Sequence, residues 1–172
     1  MAKVLLLSGK PGTGKTSLIK EAIDRVKIEA GGFYTQEIRS AGVRQGFKII
    51  TLDGKEAILA HINISSPYQV SKYNVDIDSL NEVGISAVQQ ALKQNDLIVI
   101  DEIGKMELLS LQFQEVVLQA IQSGKKILGT VMFTSHPFAD EVKRHPEVTT
   151  LAVSGTNRNE VLKEILAWLQ TA

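Results

Sequence analysis

A glycine-rich segment near the start of the chain limits the possible folds most strongly. It satisfies the pattern G-x-x-x-x-G-K-[ST] with the residues Gly9, Lys10, Pro11, Gly12, Thr13, Gly14, Lys15 and Thr16. The apolar run Val4–Leu7 precedes this segment, and apolar residues at helical spacing follow it. The order predicts a buried parallel strand, a phosphate-binding loop and a helix whose N-terminal N–H groups surround a phosphate.

Two side chains of this Walker A loop are candidates for nucleotide chemistry. Lys15 is predicted to reach the β- and γ-phosphates, and Thr16 to offer its hydroxyl to a Mg²⁺ ion that bridges them. The glycines permit positive φ angles, so that successive N–H groups can point at one anion. The alternative is a glycine-rich turn without a ligand, and the order of strand, loop and helix argues against it.

Composition limits the number of domains and the classes of partner. A length of 172 residues suits one domain, so we expect a single unit over residues 1–172. Lysine plus arginine and aspartate plus glutamate number 19 each, which gives no overall positive field for nucleic acid or anionic lipid. The chain has no cysteine and no apolar stretch of membrane-spanning length. These features favour a soluble intracellular protein.

After the first helix, the sequence predicts an antiparallel meander. The pair Gly31-Gly32 interrupts the helical pattern. A hairpin and a third short strand are then predicted at Phe33–Ile38, Gly46–Thr51 and Ala57–His61. Residues 63–73 are polar and predict a loop that leads to a short extended piece at Lys72–Val75.

The second half of the chain alternates helices and strands. Helices are predicted around residues 80–93, 113–121, 139–144 and 158–169. Strands are predicted at Leu97–Ile100, Ile127–Val131 and Thr150–Val153. The alternation predicts an α/β fold of three layers, a mainly parallel sheet flanked by helices, with the early meander as an antiparallel extension.

A second motif adds acidic groups to the phosphate-binding loop. The apolar strand residues Leu97, Ile98, Val99 and Ile100 end in Asp101 and Glu102, which is the Walker B arrangement. Asp101 is predicted to hold Mg²⁺ directly or through water, and Glu102 to orient and polarise an attacking water. An acidic pair that merely ends a strand at a solvated edge is the alternative. A glutamate at this position favours hydrolysis over transfer to a bound acceptor, because a water nucleophile gains from a nearby base.

Phosphoryl transfer also needs positive charge beyond Lys15 and the metal ion. The candidates in this sequence are Lys105, Lys143, Arg144 and Arg158. Each of them alone is more often a solvated surface charge. Lys105 and Arg158 rank first because of the motifs that contain them.

The longer string from Leu97 to Leu108, LIVIDEIGKMEL, resembles the signature of the THEP1-type nucleoside-triphosphatases. Five further segments resemble that family in order and spacing: Gly32–Arg39, the hairpin from Gly46 to Gly54, Lys72–Asp76, Leu128–Thr130 and Asn157-Arg158. The resemblance therefore covers nearly the whole chain. Ser17, where a second threonine is common, and Ser71, where a glycine often precedes Lys-Tyr, depart from the family pattern.

The resemblance implies a cytoplasmic, Mg²⁺-dependent enzyme with a RecA-like or AAA-like P-loop core. Such an enzyme hydrolyses several nucleoside triphosphates, here expected to include ATP, GTP, CTP and UTP, to the diphosphate and phosphate. We expect it to be a monomer or a weak oligomer. Besides the Walker A loop, the implied nucleotide-binding residues are Leu97, Ile98, Val99, Ile100, Asp101, Glu102, Ile103 and Gly104.

Base recognition is expected near Asn157 and Arg158. A guanine-specific element would carry an aspartate after Asn/Thr-Lys-x, and this chain has Thr156-Asn157-Arg158-Asn159 at the comparable place. Arg158 is predicted to stack on the base, which discriminates poorly among bases. The alternative is that Asn157 only caps the last helix, in a capping box with Glu160.

Two other functions remain open at this stage. A nucleotide or nucleoside kinase shares the loop and the fold, but it needs an acceptor pocket and an arginine-rich lid, and the chain has no arginine cluster of that kind. A nucleotide-dependent switch protein with slow hydrolysis is weakened by the neutral charge and the missing guanine element. His61, His136 and His145 lack metal-ligand spacing, and Trp168 is expected to pack against the last helix.

Overall fold

The strands of the chain form one mixed sheet. The computed structural model describes residues 2–171, and within them nine strands lie in the order β5-β6-β4-β3-β2-β7-β8-β1-β9. Their bounds are β1 Val4–Ser8, β2 Ala30–Ser40, β3 Val43–Thr51, β4 Glu56–His61, β5 Gln69–Val70, β6 Tyr73–Val75, β7 Leu97–Ile103, β8 Lys126–Val131 and β9 Val148–Ala152. From β2 to β9 the neighbouring strands are parallel, and from β2 to β5 they are antiparallel. The predicted parallel sheet with a meander extension is confirmed.

Helices cover both faces of the parallel part. They are α1 Lys15–Val26, α2 Ile77–Ser79, α3 Ser86–Gln94, α4 Leu111–Gln122, α5 Pro137–Arg144 and α6 Arg158–Leu169. A π-helical stretch, Leu80–Ile85, joins α2 to α3, and a short 3₁₀ turn at Glu107–Leu109 precedes α4. Residues of α1 and α6 pack in one apolar cluster, whereas residues of α3, α4 and α5 pack in the other.

Strand β7, which carries the Walker B residues, is apolar at each position from Leu97 to Ile100 because helices cover both of its faces. Leu97 and Val99 point into the cluster of α1 and α6, and Ile98 and Ile100 point into the opposite cluster. All four side chains are buried. Because successive residues of a strand face opposite sides, a strand covered on both faces must be apolar at every position.

The glycine pair Gly31-Gly32 lies inside β2 and does not form a turn between two elements. The strand begins at Ala30, so the predicted start at Phe33 is three residues late. The reason is close packing of the backbone. A Cβ atom at Gly32 would lie 2.0 Å from the Val99 carbonyl oxygen, and one at Gly31 would lie 2.6 Å from the Ala91 Cβ atom. The glycines therefore let β2 approach both β7 and α3.

Candidate active site

The loop between β1 and α1 has the conformation that its glycines allow. Gly12 and Gly14 both have a φ of 83°, in the left-handed region that favours glycine. Gly14 is the N-cap residue of α1 and carries no side chain that would occupy the first-turn N–H groups. A Cβ atom at Gly9 would lie 2.4 Å from the Val153 carbonyl oxygen, so the loop packs closely on the end of β9. The exposed N-terminus of α1 is thus arranged as an anion site.

Lys15 lies across this loop. Its Nζ atom donates to the carbonyl oxygens of Gly9, at 2.8 Å, and of Lys10, at 3.2 Å. The Thr13 hydroxyl donates to the same Lys10 oxygen at 2.9 Å. These contacts hold the ammonium group beside the N–H groups of the loop, where positive charge is needed for a polyphosphate.

Asp101 joins three segments of the chain at the end of β7. Its carboxylate accepts hydrogen bonds from the hydroxyls of Thr16, at 2.6 Å, and Thr130, at 2.7 Å. Its main-chain oxygen accepts from the Thr35 hydroxyl at 2.6 Å. Burial raises the pKa of Asp101, while the Thr16 and Thr130 hydroxyls and the Lys15 charge lower it. The structure thus brings together Thr16 and Asp101, the two predicted Mg²⁺ ligands, and Thr35 and Thr130 are partners of Asp101 that we did not predict.

Thr130 carried a weak sequence signal, since Leu128–Thr130 is one of the segments that resemble the family. Its position requires β8 to lie directly beside β7. A Cβ atom at Gly129 would lie 2.1 Å from the Ile100 carbonyl oxygen, so a glycine there lets the two strands meet. Thr35 also lies in a segment that resembles the family, Gly32–Arg39. No local pattern in the sequence shows which strands become neighbours, so the contact of neither threonine with Asp101 was predicted.

Two further carboxyl groups lie next to Asp101. Burial and the neighbouring Asp101 charge raise the pKa of Glu102, and Lys15 lowers it. Glu107 is buried, and burial together with the Glu102 charge raises the pKa of Glu107 well above its ordinary value. A Cβ atom at Gly104 would lie 2.7 Å from Glu102 Oε1 and 3.0 Å from Glu107 Oε1, which shows how close the two carboxyls come. The peptide bond between Asp101 and Glu102 is cis.

An open cleft of about 510 Å³ connects the loop with these acidic groups. Of the predicted site residues, it is lined by Gly9, Pro11, Gly12, Lys15, Thr16, Asp101, Glu102 and Lys105. Its opposite wall comes from the meander and from the segment after β8, and includes residues that we did not predict: Thr35, Glu37, Arg44, Phe47, Tyr73, Met132 and Phe133.

The remaining predicted site residues lie outside this cleft. Leu97, Ile98, Val99, Ile100 and Ile103 are buried within β7, so they position the site through the strand and their side chains remain in the core. Lys10 and Thr13 lie at the outer edge of the loop, and Gly104 lies between the two glutamates.

The capping box predicted at the start of α6 is wrong. Asn157 makes no side-chain cap to the helix. Its Oδ1 atom accepts from the Ser154 N–H and its Nδ2 atom donates to the Ala152 carbonyl oxygen, both at 2.8 Å. Asn157 therefore fixes the turn after β9, because these two bonds use the amide locally.

Arg158 lies against the phosphate-binding loop and does not line the cleft. Its Nη1 atom donates to the Gly14 carbonyl oxygen at 3.3 Å, and Nη2 pairs with Glu21 at 3.4 Å. The two predicted cations thus occupy different places, with Lys105 in the cleft and Arg158 beside the loop.

The donor atoms at the head of the cleft suit Mg²⁺. A hydroxyl and a carboxylate, from Thr16 and Asp101, meet at 2.6 Å, and both are hard oxygen ligands. Among residues 2–171 no group of three or more histidine, cysteine, aspartate or glutamate side chains is gathered for a metal ion. Mg²⁺ commonly binds through one or two protein oxygens together with phosphate and water oxygens, so this small donor set fits it.

Comparison with known proteins decides the family. The model of a protein family described as NTPase (NTPase_1) matches residues 4–166. The chain belongs to this NTPase family. The nucleoside-triphosphatase THEP1 of Thermotoga sp. strain RQ2 is 48% identical over 166 residues, which cover 96% of this chain and 95% of that protein. The cancer-related nucleoside-triphosphatase of Homo sapiens is 34% identical over 188 residues, which cover 100% of this chain and 99% of the human protein.

Solved structures of the NTPase family share the architecture. The crystal structure of THEP1 from Aquifex aeolicus superposes with a TM-score of 0.89 at 32% identity, covering 98% of this chain and 99% of that one. The solution structure of the human cancer-related nucleoside triphosphatase gives 0.83 at 34% identity, covering 98% of each chain. The P-loop fold and the family predicted from the sequence are confirmed. Within residues 2–171 this NTPase has no helix of the length and apolarity needed to cross a membrane.

One departure from the family pattern has a visible structural meaning in this NTPase. Ser71, where a glycine often stands, has a φ of 54°, in the left-handed region. It forms the turn between β5 and β6, directly before Lys72. Glycine is common there because only glycine adopts this conformation without strain.

Proposed function

We propose that this member of the NTPase family hydrolyses nucleoside triphosphates to the diphosphate and phosphate with Mg²⁺ bound. The hydrogen bond between Thr16 and Asp101 carries the proposal. It joins the Walker A loop to the end of β7, so that Lys15, Asp101 and Glu102 line one cleft. The names of the relatives agree, because both the Thermotoga and the human protein are nucleoside-triphosphatases.

Binding begins at the phosphate-binding loop. The N–H groups at the N-terminus of α1 and the Lys15 ammonium hold the triphosphate, with its terminal phosphate toward Asp101 and Glu102. Thr16 and Asp101 would hold Mg²⁺, which would supply positive charge to the bound triphosphate.

Glu102 activates the water in this proposal. Its carboxylate accepts a proton as the water oxygen bonds to the γ-phosphorus, the bond from that phosphorus to the bridging oxygen breaks, and the nucleoside diphosphate leaves. Burial and Asp101 raise the pKa of Glu102, which makes its ionised form a stronger base. Lys15 opposes this shift and keeps the ionised form accessible.

Base selectivity is broad in this proposal. Arg158 lies beside the loop, Asn157 holds the turn before it, and neither residue lines the cleft that holds the acidic groups. Arg158 would contact the face of the base, and a stacking contact tolerates every base. We therefore propose ATP, GTP, CTP and UTP as substrates. We propose that the enzyme is a monomer or a weak oligomer, because one chain provides every group named above. We also propose that it acts in the cytoplasm.

One observation favours a nucleotide or nucleoside kinase as a second candidate. The cleft continues past the acidic groups onto an apolar wall formed by Phe47, Val70 and Tyr73. This wall lies on the side of the terminal phosphate, where a kinase binds its acceptor. If a nucleoside or a nucleoside monophosphate is added and more nucleoside diphosphate than free phosphate forms, the protein is a kinase.

The test is Mg²⁺-dependent phosphate release from ATP, GTP, CTP and UTP by the full chain, with no acceptor present. We expect Glu102→Gln to bind nucleotide while turnover falls by about 100-fold or more. Lys15→Ala should lose binding, whereas Lys20→Ala, an exposed lysine on the same helix, should keep both binding and turnover. Unchanged turnover in Glu102→Gln would show that this residue is not the base.

A further inference from the structure

The hairpin of β2 and β3 extends beyond the parallel sheet, past the acidic groups. Only Ala30–Phe33 of β2 pair with β7. The Thr35 hydroxyl bonds to the Asp101 main-chain oxygen, and β2 then continues to Ser40. The chain turns at Ala41 and Gly42, which have φ angles of 51° and 77°. The outer half of this hairpin therefore stands over the mouth of the cleft.

One face of the hairpin looks into the cleft. Thr35 and Glu37 both line it, as alternate residues of a strand share a face. Two residues of extended chain span roughly 6.6 Å, so Glu37 lies about that far beyond the level of Asp101. Phe47 is the partner of Glu37 on β3 and lines the cleft as well.

Arg44 is fixed on this face by four contacts. Its Nη1 atom donates to Glu37 Oε1 at 3.1 Å, and its Nε atom donates to the Tyr73 hydroxyl at 2.8 Å. Its guanidinium carbon lies 5.2 Å from the centre of the Phe47 ring and 5.6 Å from that of Tyr73. The two hydrogen bonds use Nε and Nη1 of Arg44. No hydrogen bond to the rest of residues 2–171 uses Nη2, so its two N–H groups can donate to a ligand.

The Arg44 cluster keeps a net positive charge. Glu37 also pairs with Arg39, at 2.9 Å, so two guanidinium groups share one carboxylate. Within residues 2–171 the cationic side chains that line the cleft are Lys15, Arg44 and Lys105. Lys15 belongs to the phosphate-binding loop, and Lys105 is exposed. Arg44 is the cation that aromatic rings and hydrogen bonds already orient on the wall facing the loop.

We infer that Arg44 is a catalytic residue that contacts the γ-phosphate oxygens in the transition state, with the hairpin supplying an arginine finger from the same chain. The inference rests on the proposed hydrolysis. In this transition state negative charge spreads over the γ-phosphate oxygens, and a planar guanidinium matches two of them at once. Because Arg44 is held before substrate binds, little ordering is needed when the charge develops.

A purely mechanical function of Arg44 is the competing explanation. The bond to Tyr73 links β3 to β6, so Arg44 would then act only as a clamp that holds the hairpin. Arg39 provides a matched control. It lies on the same hairpin, pairs with the same glutamate and carries the same charge, but it does not line the cleft.

The experiment compares Arg44→Ala, Arg44→Lys and Arg39→Ala in the full chain. We expect kcat for Mg-ATP to fall by about 100-fold or more in Arg44→Ala, with little change in KM. Arg44→Lys should recover part of this loss because it restores charge without the planar fork. Arg39→Ala should stay within about fivefold of wild type, because an exposed ion pair contributes little.

Binding of a transition-state mimic separates the two explanations. Fluorescent ADP should bind wild type more tightly when aluminium fluoride is added, and Arg44→Ala should lose this gain while it still binds a non-hydrolysable ATP analogue. A clamp would instead lower the melting temperature and leave the gain intact, and that result overturns the inference. If Arg44→Ala does not fold, the same comparison is made with Arg44→Lys.

The two proposals fail in different ways. If wild type releases no phosphate, the hydrolase proposal fails and the inference fails with it. If wild type is active and Arg44→Ala is within about fivefold of it, only the inference about Arg44 is overturned.

Discussion

At the scale of single residues, the site depends on hydroxyl groups that hold a buried carboxylate. Asp101 is 4% exposed and would be costly to bury if it lacked partners. Thr16 and Thr130 each satisfy one of its oxygens. Thr16 belongs to the Walker A motif, so its place at the site was predictable. Thr130 lies 29 positions from Asp101, and the family resemblance of its segment did not predict their contact.

Removing the Thr130 hydroxyl should therefore affect both stability and metal affinity. Thr130→Val keeps the shape of the side chain and leaves one oxygen of Asp101 without its donor. We expect the free energy of unfolding to fall by about 1–3 kcal/mol. Urea unfolding and Mg²⁺ titration of phosphate release measure the two effects. Thr149→Val, at an exposed position of β9, is the control, and equal losses in both variants would contradict the prediction.

Glu107 makes the stability of the protein depend on pH. Its pKa is raised well above 4.5 by burial and by Glu102, so the folded state binds its proton more tightly than the unfolded state does. As pH rises above 4.5, the unfolded chain gives up this proton first, and the fold loses stability until the folded-state pKa is passed. Below 4.5 the group is protonated in both states and has no such effect.

Glu107→Gln should remove this dependence. We expect its stability relative to wild type to increase as pH is raised from about 5 to 8, because the glutamine has no proton to lose. Urea unfolding across that range tests this. The exposed substitution Glu115→Gln on α4 should give no such trend, and a constant difference between Glu107→Gln and wild type would refute the argument.

At the scale of elements, strand β2 connects two kinds of sheet. Its first residues pair in parallel with β7, and from Phe33 onward it pairs with β3 in the antiparallel sense. The sequence predicted the hairpin but not the parallel start, because a glycine pair is usually a sign of a turn. Here the glycines serve close packing, which depends on neighbours that are distant in the sequence.

An alanine at Gly32 should disrupt this junction. Its Cβ atom would lie 2.0 Å from the Val99 carbonyl oxygen, and the φ of 109° is strained for any other residue. We expect a loss of roughly 3 kcal/mol or more in the free energy of unfolding. Gly155→Ala is the matched control, since nothing lies within 4 Å of its Cβ position. Similar unfolding curves for the two variants would show that β2 relaxes around the added methyl.

At the scale of the whole molecule, the site is assembled from segments that the sheet order brings together. The Walker A loop, the end of β7 and their apolar strands were predictable, because each is a continuous pattern of residues. Glu37, Arg44 and Tyr73 were not, because they come from the meander, and no residue pattern shows that β2 lies beside β7. The family resemblance covered Glu37 and Tyr73 without assigning them a function, and Arg44 lies between two of the segments that carry the resemblance.

Ligand binding should stabilise the whole fold if the loop holds the nucleotide. A non-hydrolysable ATP analogue at 100 times its dissociation constant should add about 2.7 kcal/mol to the free energy of unfolding. Lys15→Ala should lose this gain, while Lys20→Ala should keep it. Thermal unfolding with and without the analogue, both in the presence of Mg²⁺, provides the measurement. An equal gain in Lys15→Ala would place the nucleotide elsewhere.

The short outermost strand of the meander bears on self-association. A sheet that ends in a long strand leaves a row of free N–H and carbonyl groups, on which another copy can add a strand and begin a fibre. Among residues 2–171 the strand at this border is β5, which contains only Gln69 and Val70. Two residues are too few to template such growth, so the outermost strand of the meander offers little edge for a second copy to pair with.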